Sequence, residues 1–166
     1  MLFRSDMYNK LHIDGDLNSN ESAEEVYAGR SAMRWVDTIK KLITLTDSRT
    51  LLDYGSGKGL QYKSMPLEGK GQLRYKGLQD YWKIDDLYCY DPGYPLYQKF
   101  PQKQYDAVLA TDVLEHCDQR DVKWIIEEIF DLTRKVVFAN IACFKAHRTL
   151  PNGENEIGRA SCRERG

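Results

Sequence analysis

Three aspartates stand where short apolar runs of the sequence end. Asp53, Asp91 and Asp112 each close or directly follow such a run. A carboxylate is costly to bury without a partner, so three of them at equivalent places indicate one polar cleft. An ordinary polar residue at a strand end would explain any one of them, but it explains all three less easily. Carboxylates in such a cleft could accept charge-assisted hydrogen bonds from the hydroxyl groups of a ligand.

A cluster of glycines follows the first aspartate. Gly55, Gly57 and Gly59 alternate with Ser56 and Lys58, which predicts a tight turn after a buried strand. The cluster is not a P-loop, because that motif needs a further glycine upstream and a serine or threonine directly after its lysine. It is also one residue shorter than the dinucleotide fingerprint, and the acid that closes the next strand lies much further along than that fingerprint requires.

Few other side chains are candidates for catalysis or metal binding. Histidine is the commonest general acid or base in enzymes, so His116 is a candidate base facing a substrate, or else a structural residue packed near the cleft. Lys58 is expected to point to solvent from a first helical turn, or to meet an acidic substrate. The four cysteines form no C-x-x-C pair and no ligand spacing with the three histidines, so no metal site is predicted.

Hydrophobic periodicity predicts the elements that position these residues. Apolar stripes at three- and four-residue spacing predict helices within 22–46 and at 122–132. A further helix is predicted to start near Lys58 and end at Pro66, followed by a basic loop that carries Lys70, Arg74 and Lys76. A short helical turn is expected at Tyr81 and Trp82. Apolar runs predict four buried strands, at 50–54, 87–91, 106–111 and 136–141.

Strands that alternate with helices favour parallel pairing and right-handed crossovers. The predicted fold is therefore α/β, with a Rossmann-like, doubly wound, mainly parallel sheet. Ligands bind such sheets outside the carboxyl ends of the strands, where the strand order reverses. The aspartates and the glycine turn are predicted to meet at that edge.

Two segments resemble motifs of class I S-adenosylmethionine-dependent methyltransferases. The run LLDYGSGKG at 51–59 resembles the first motif of that family, and YDAVLATDVLEH at 105–116 resembles the fourth-strand motif, which often ends in Leu-Glu-His. The acid that closes the family's second strand corresponds to Asp91. The closest resemblance is to uncharacterised methyltransferase-like proteins of bacteria and bacteriophages, which share DYGxGKG at 53–59, YDPG at 90–93 and LPNGEN at 150–155.

The resemblance implies S-adenosylmethionine as cofactor, S-adenosylhomocysteine as product and a small or medium-sized methyl acceptor. In that family the glycines let the backbone approach the methionine part of the cofactor, and the acid at Asp91 binds the ribose hydroxyls. Asp53 would orient the glycine turn or contact the cofactor's ammonium group, and His116 is the candidate catalytic residue. The cofactor-binding residues that the resemblance implies are Asp53, Tyr54, Gly55, Ser56, Gly57, Asp91, Pro92, Thr111, Asp112 and Val113.

Two other functions stay open at this point. One is a nicotinamide-dependent oxidoreductase on the same fold, and the other is a truncated S-adenosylmethionine-binding module without catalysis. Between Asp91 and Asp106 there is no room for a helix, a strand and a second helix, so the third strand of the common fold is expected to be missing. That strand often supplies an adenine contact, and adenine binding would then use other groups, such as the backbone at 111–113.

Composition narrows the class of protein. The 166 residues suffice for one domain, and 24 basic residues nearly balance 25 acidic ones, which argues against a nucleic-acid partner or an acidic membrane surface. No apolar run approaches the roughly 18 residues of a membrane span. The polar N-terminus does not resemble a secretory signal, and a cytoplasmic protein is expected.

Three segments are expected along the chain. Residues 1–20 would form an N-terminal arm, and 21–155 a methyltransferase-like domain that is incomplete at its C-terminal end. Residues 156–166 resemble the conceptual translation of a sequencing adapter and are expected to be a non-native tail. An exposed sheet edge would then remain beyond the strand at 136–141. Such edges pair with other chains, which predicts a homodimer or aggregation.

Overall fold

The structure is a computed structural model. It describes residues 9–10, 13–14, 22, 26–63, 67–68 and 74–143. Most of the predicted arm at 1–20, the end of the predicted domain and the predicted tail at 156–166 lie outside the described residues.

The described residues contain two sheets. In chain order the strands are β1 (Thr50–Tyr54), β2 (Leu67–Glu68), β3 (Arg74–Tyr75), β4 (Asp86–Tyr90), β5 (Tyr105–Thr111) and β6 (Thr133–Asn140). One sheet has the order β4-β1-β5-β6 with every pair parallel, while β2 and β3 form a small antiparallel pair. The four strands predicted from apolar runs are those of the larger sheet. An α/β fold with a parallel sheet is therefore confirmed.

Helices cover both faces of this sheet. Helices α1 (Val36–Leu45) and α2 (Leu78–Trp82) pack on one face, and α3 (Gln119–Asp131) packs on the other. The first core contains Ile39, Ile43, Leu51, Leu78, Trp82 and Leu109, and the second contains Leu52, Tyr54, Val108, Ile125 and Ile129. Successive residues of a strand point to opposite faces, so β1 supplies both cores alternately.

The helix predicted within 22–46 is shorter than expected. The α-helix begins only at Val36, after a 3₁₀ turn over Ser31–Trp35. Upstream, Tyr27 and Gly29 have φ angles of 49° and 68°, which lie outside right-handed helical geometry.

The prediction of a helix that starts near Lys58 is wrong. Only a 3₁₀ turn, Leu60–Tyr62, follows the glycines. Gly59 is left-handed at φ 59°, and Lys63 is extended at φ −66° and ψ 143°, so helical geometry is interrupted on both sides of the turn. Part of the expected basic loop instead belongs to β3, while Lys70 lies outside the described residues.

The helix predicted at 122–132 is confirmed, and it begins earlier, at Gln119. Asp118 caps it, because its carboxylate accepts a hydrogen bond from the backbone N–H of Arg120 at 3.0 Å. Two apolar side chains of this helix, Ile126 and Phe130, remain 37% and 62% exposed.

No helix or strand lies between β4 and β5, a stretch that the structure describes completely. The chain forms a loop there, closed by a 3.0 Å hydrogen bond from the N–H of Asp91 to the carbonyl of Tyr97. Among the described residues, β4 is therefore the outermost strand of the parallel sheet on this side.

Candidate ligand site at the carboxyl edge of the sheet

The strand order reverses at β1. The chain passes from β1 to β4 on one side and then crosses to β5 on the other side of β1. The connections that leave β1 and β5 therefore run in opposite directions, which opens a crevice at the carboxyl ends of these strands. The aspartates and the glycine turn singled out in the sequence lie at this edge.

The glycine turn requires glycine for conformation and for close approach. Gly55, Gly57 and Gly59 have φ angles of 76°, 55° and 59°. A Cβ on Gly57 would lie 2.5 Å from the carbonyl oxygen of Tyr27, and one on Gly55 would collide with the side chain of Val113. The contact between Gly55 and Val113 joins the turn to the loop that follows β5.

Each backbone N–H in the turn, from Gly55 to Gln61, has an acceptor within the protein. In chain order, the seven groups donate to the carbonyl of Tyr90 (twice), the carboxylate of Asp91, and the carbonyls of Tyr27, Ser56, Ala28 and Gly29, at 2.7–3.1 Å. A phosphate-binding turn presents such N–H groups to the anion. This turn therefore has no free row of donors for a phosphate.

Three of those acceptors belong to residues 26–30, a segment that we call the strap. The strap also binds the ammonium of Lys58, which donates to the carbonyl of Val26 at 2.7 Å and lies 5.9 Å from the centre of the Tyr94 ring. Lys58 is only 9% exposed. The expectation that Lys58 points to solvent is wrong, because the strap and the aromatic ring give its ammonium a buried position.

Asp53 is fully buried at the end of β1. Its Oδ2 accepts hydrogen bonds from Gln61 Nε2 and from the Tyr62 hydroxyl, both at 2.8 Å. Burial raises the pKa of Asp53 to about 6, although these two hydrogen bonds oppose the shift. Both donors follow the glycine turn, so Asp53 holds the turn in place, and its Oδ1 is left without a partner.

Asp91 connects the end of β4 to the glycine turn. Its Oδ2 accepts from the N–H of Gly57 at 2.7 Å, and its Oδ1 accepts from the N–H of Gly93 at 2.8 Å. Burial raises the pKa of Asp91, against the effect of these backbone hydrogen bonds. A carboxylate oxygen has two lone pairs, so each oxygen can still accept from a ligand.

Polar side chains also gather where β5 and β6 end. Asp112 has a φ angle of 54°, an uncommon conformation for a residue with a side chain, and its carboxylate accepts from the side-chain amide of Asn140. Glu115 is 1% exposed, and its Oε1 accepts from the N–H of Ala142 at 2.7 Å. Burial raises the pKa of Glu115. His116 lies beside it, half-buried in the 3₁₀ turn Leu114–His116.

Unpaired acceptors are concentrated at this edge. Among the described residues, the buried side-chain polar atoms without a hydrogen-bond partner are Asp53 Oδ1, Glu115 Oε2 and Asn140 Oδ1. All three are oxygens. Asp53 and Asn140 belong to the ends of β1 and β6, and Glu115 belongs to the turn that follows β5. Buried polar atoms normally have partners, so the edge is suited to a ligand that supplies hydrogen-bond donors.

The remaining predicted residues take different positions. The Tyr54 side chain lies in the core under α3, where its hydroxyl donates to Glu128 at 2.5 Å, so only its backbone borders the crevice. Ser56 and Thr111 are buried, and Pro92 is partly buried beside Asp91.

Sequence reasoning missed several residues of the site. Gln61 is buried between two parts of the site. Its side-chain oxygen accepts a hydrogen bond from the N–H of Ala32 at 3.1 Å, and its side-chain nitrogen donates to Asp53. The strap itself and Asn140 were also not predicted. Their roles depend on contacts between distant parts of the chain, and only Gly29 in the strap carries a local signal, that of a turn.

Comparison with known proteins adds no relative, since no family model, curated protein or solved structure matches the chain. Within the described residues, no three His, Cys, Asp or Glu side chains are grouped to hold a metal ion. The helices described in the structure are all too short or too polar to cross a membrane.

Proposed function

We propose that the chain is a Rossmann-like methyltransferase domain that binds S-adenosylmethionine and transfers its methyl group to a small or medium-sized acceptor. The observation that carries this proposal is the hydrogen-bonding character of the carboxyl edge. The N–H groups of the glycine turn are all used within the protein, and the unpaired buried atoms are all acceptors.

The lack of free donors and the presence of unpaired acceptors at the edge distinguish between the candidate cofactors. A nicotinamide dinucleotide carries a pyrophosphate, which binds to free N–H groups of a glycine turn. Both cofactors carry ribose hydroxyls and an adenine amino group as donors, but S-adenosylmethionine has no phosphate and adds an ammonium group beside a positive sulfonium. Its single carboxylate needs fewer donors than a pyrophosphate does. The edge therefore favours S-adenosylmethionine over the nicotinamide alternative.

Each residue at the edge has a chemical role in this proposal. Asp91 accepts hydrogen bonds from the ribose hydroxyls through its remaining lone pairs. Gly55 and Gly57 hold the turn in its left-handed conformation against Val113 and Tyr27. Asp53, whose buried Oδ1 has no partner, orients the turn or contacts the ammonium group of the cofactor. The cofactor supplies an activated methyl group, so the protein contributes mainly proximity and orientation. His116 serves as base where the acceptor has to lose a proton.

The test is calorimetric titration with S-adenosylhomocysteine and with its analogue lacking both ribose hydroxyls. We expect Asp91→Asn to weaken S-adenosylhomocysteine binding by about 10- to 100-fold, the value of a charge-assisted hydrogen-bond pair. The matched control is Asp86→Asn, at the other end of β4, where the carboxylate pairs with Lys103 at the surface. This control should bind as the unchanged protein does.

The analogue distinguishes ribose binding from a purely structural role of Asp91. If Asp91 binds the hydroxyls, the unchanged protein prefers S-adenosylhomocysteine to the analogue and Asp91→Asn loses that preference. If Asp91 only anchors Gly57, the variant weakens both ligands equally. Absence of S-adenosylhomocysteine binding to the unchanged protein, with binding of NAD, would overturn the cofactor assignment. Cofactor binding without methyl transfer to any acceptor would support the non-catalytic module.

A further inference from the structure

A groove of about 350 Å³ opens along the outer side of β4. It exists because no described strand pairs with this edge of the sheet and because the chain between β4 and β5 is a loop. Its lining consists of Leu87, Tyr88 and Cys89 from the middle of β4, Leu96, Tyr97 and Lys99 from the loop, and Gly59, Tyr62 and Lys63 from the end of the glycine turn. None of these residues is among the predicted cofactor-binding residues, and β4 lines the groove with Leu87 to Cys89 and not with Asp91, which follows its carboxyl end.

The aromatic walls of the groove are held in place. The hydroxyl of Tyr62 donates to Asp53 at 2.8 Å, and the hydroxyl of Tyr88 donates to the carbonyl of Lys99 at 3.0 Å. The Tyr97 ring packs edge-to-face against Tyr94, with ring centres 5.5 Å apart and planes at 70°. The rings are therefore ordered before any ligand arrives, which lowers the entropic cost of binding.

The charge of the groove is positive. Lys63 and Lys99 are exposed at its rim, and neither ammonium has a hydrogen bond or ion pair with any other described residue. Lys103, by contrast, is neutralised by Asp86 at 2.5 Å. Among the described residues that line the groove, none carries a carboxylate. Burial raises the pKa of the Cys89 thiol to about 12, so this side chain is neutral and adds no negative charge.

We propose that this groove binds a small planar aromatic anion. Its ring would lie against the tyrosines, and its carboxylate, sulfonate or phosphate group would pair with Lys63 and Lys99. Apolar walls with a few convergent charges are the usual composition of a small-molecule site. Low-dielectric walls also strengthen the attraction between the lysines and an anion.

The experiment compares indole-3-acetate with tryptamine, which share a ring system and have opposite charges. Both are titrated calorimetrically at low salt into the unchanged chain, into Lys63→Gln/Lys99→Gln, and into Lys41→Gln/Lys123→Gln. The last variant removes the same charge from exposed helix positions away from the groove. Thermal melting confirms that each variant is folded.

We expect indole-3-acetate to bind the unchanged chain at least about 10-fold more tightly than tryptamine, and the groove variant to lose about 10-fold in affinity for it. The helix variant should lose less than about 2-fold, and S-adenosylhomocysteine should neither compete with indole-3-acetate nor bind the groove variant more weakly. The proposal is overturned if both indoles bind equally, if both double variants lose the same affinity, or if indole-3-acetate does not bind at millimolar concentration.

Discussion

At the scale of single residues, Asp53 is the most constrained side chain of the carboxyl edge. Its carboxyl group is fully buried, yet only one of its oxygens has partners. Hydrogen bonds from Gln61 and Tyr62 favour the charged form, whereas burial disfavours it more strongly, so the pKa of Asp53 rises to about 6. The same carboxyl group thus anchors the glycine turn and changes its charge near neutral pH.

This shift makes stability depend on pH. The pKa of Asp53 is about 6 in the folded chain against an ordinary value of 3.8 for aspartate, so between these pH values the folded state holds a proton that the unfolded state has already released. The contribution of Asp53 is therefore complete below about pH 4 and is lost as the pH rises through 6. Relative to Asp53→Asn, the unchanged protein should lose up to about 3 kcal/mol of unfolding free energy across this range.

Urea unfolding at a series of pH values, followed by tryptophan fluorescence, measures the difference. Asp131→Asn is the control, because Asp131 is exposed at the end of α3. If the difference between the unchanged protein and Asp53→Asn does not vary between pH 4 and pH 7, the carboxyl group does not titrate as its burial indicates.

At the scale of elements, the glycine turn and the strap form one unit. The carbonyls of Tyr27, Ala28 and Gly29 accept three N–H groups of the turn, and that of Val26 accepts the ammonium of Lys58. The packing is close at Gly57, since a Cβ there would lie 2.5 Å from the Tyr27 carbonyl oxygen. The strap thus decides both the conformation of the turn and which of its donors a ligand can reach.

Alanine at two glycines should separate backbone strain from this packing. Gly57 and Gly59 have nearly equal φ angles of 55° and 59°, so the strain of a left-handed alanine, about 1–2 kcal/mol, is common to both variants. At Gly59 the new Cβ would meet only side-chain atoms at 3.2 Å or more, but at Gly57 it would lie 2.5 Å from backbone. The unfolding free energy of Gly57→Ala should therefore be about 2 kcal/mol lower than that of Gly59→Ala. Chemical denaturation measures the unfolding free energy of both variants. Equal losses of stability would show that the strap moves aside without a measurable energetic cost.

At the scale of the whole molecule, the parallel sheet has open sides among the described residues. No described strand pairs with the outer edge of β4 or of β6. Near the end of β6, Ala139 is exposed, and Ile141 just beyond the strand is 46% exposed. Unpaired edges of this kind are templates for pairing with another chain.

We expect the protein to self-associate through β6. Ala139→Lys should shift the population towards monomer, because a lysine on an edge strand opposes pairing. Leu45→Lys is the matched control, since it adds the same charge at an 82% exposed position on α1. Sedimentation velocity over a range of concentrations gives the answer. A monomer at all concentrations for the unchanged protein, or an equal effect of both lysines, would exclude β6 as the interface.

The sequence by itself determined the features that depend on neighbouring residues. Apolar runs located all four strands of the parallel sheet. The reason is clearest for β1 and β5, which are buried on both faces and therefore need a continuous apolar run. The periodic stripe located α3, and the alternating glycines located the turn. Because the carboxyl ends of parallel strands share one edge, these strands also placed Asp53, Asp91 and Asp112 on the same side of the sheet.

Tertiary structure decided what depends on residues that are distant along the chain. The segment after Lys58 was predicted as a helix, but contacts with the strap, some 30 residues upstream, hold it in an irregular turn. The same contacts bury Lys58 and place Gln61 between Ala32 and Asp53. The loop between β4 and β5 leaves a groove whose lining includes Lys63 and Lys99. Such contacts leave no periodic trace, because a hydrogen bond to a distant carbonyl requires no particular residue type.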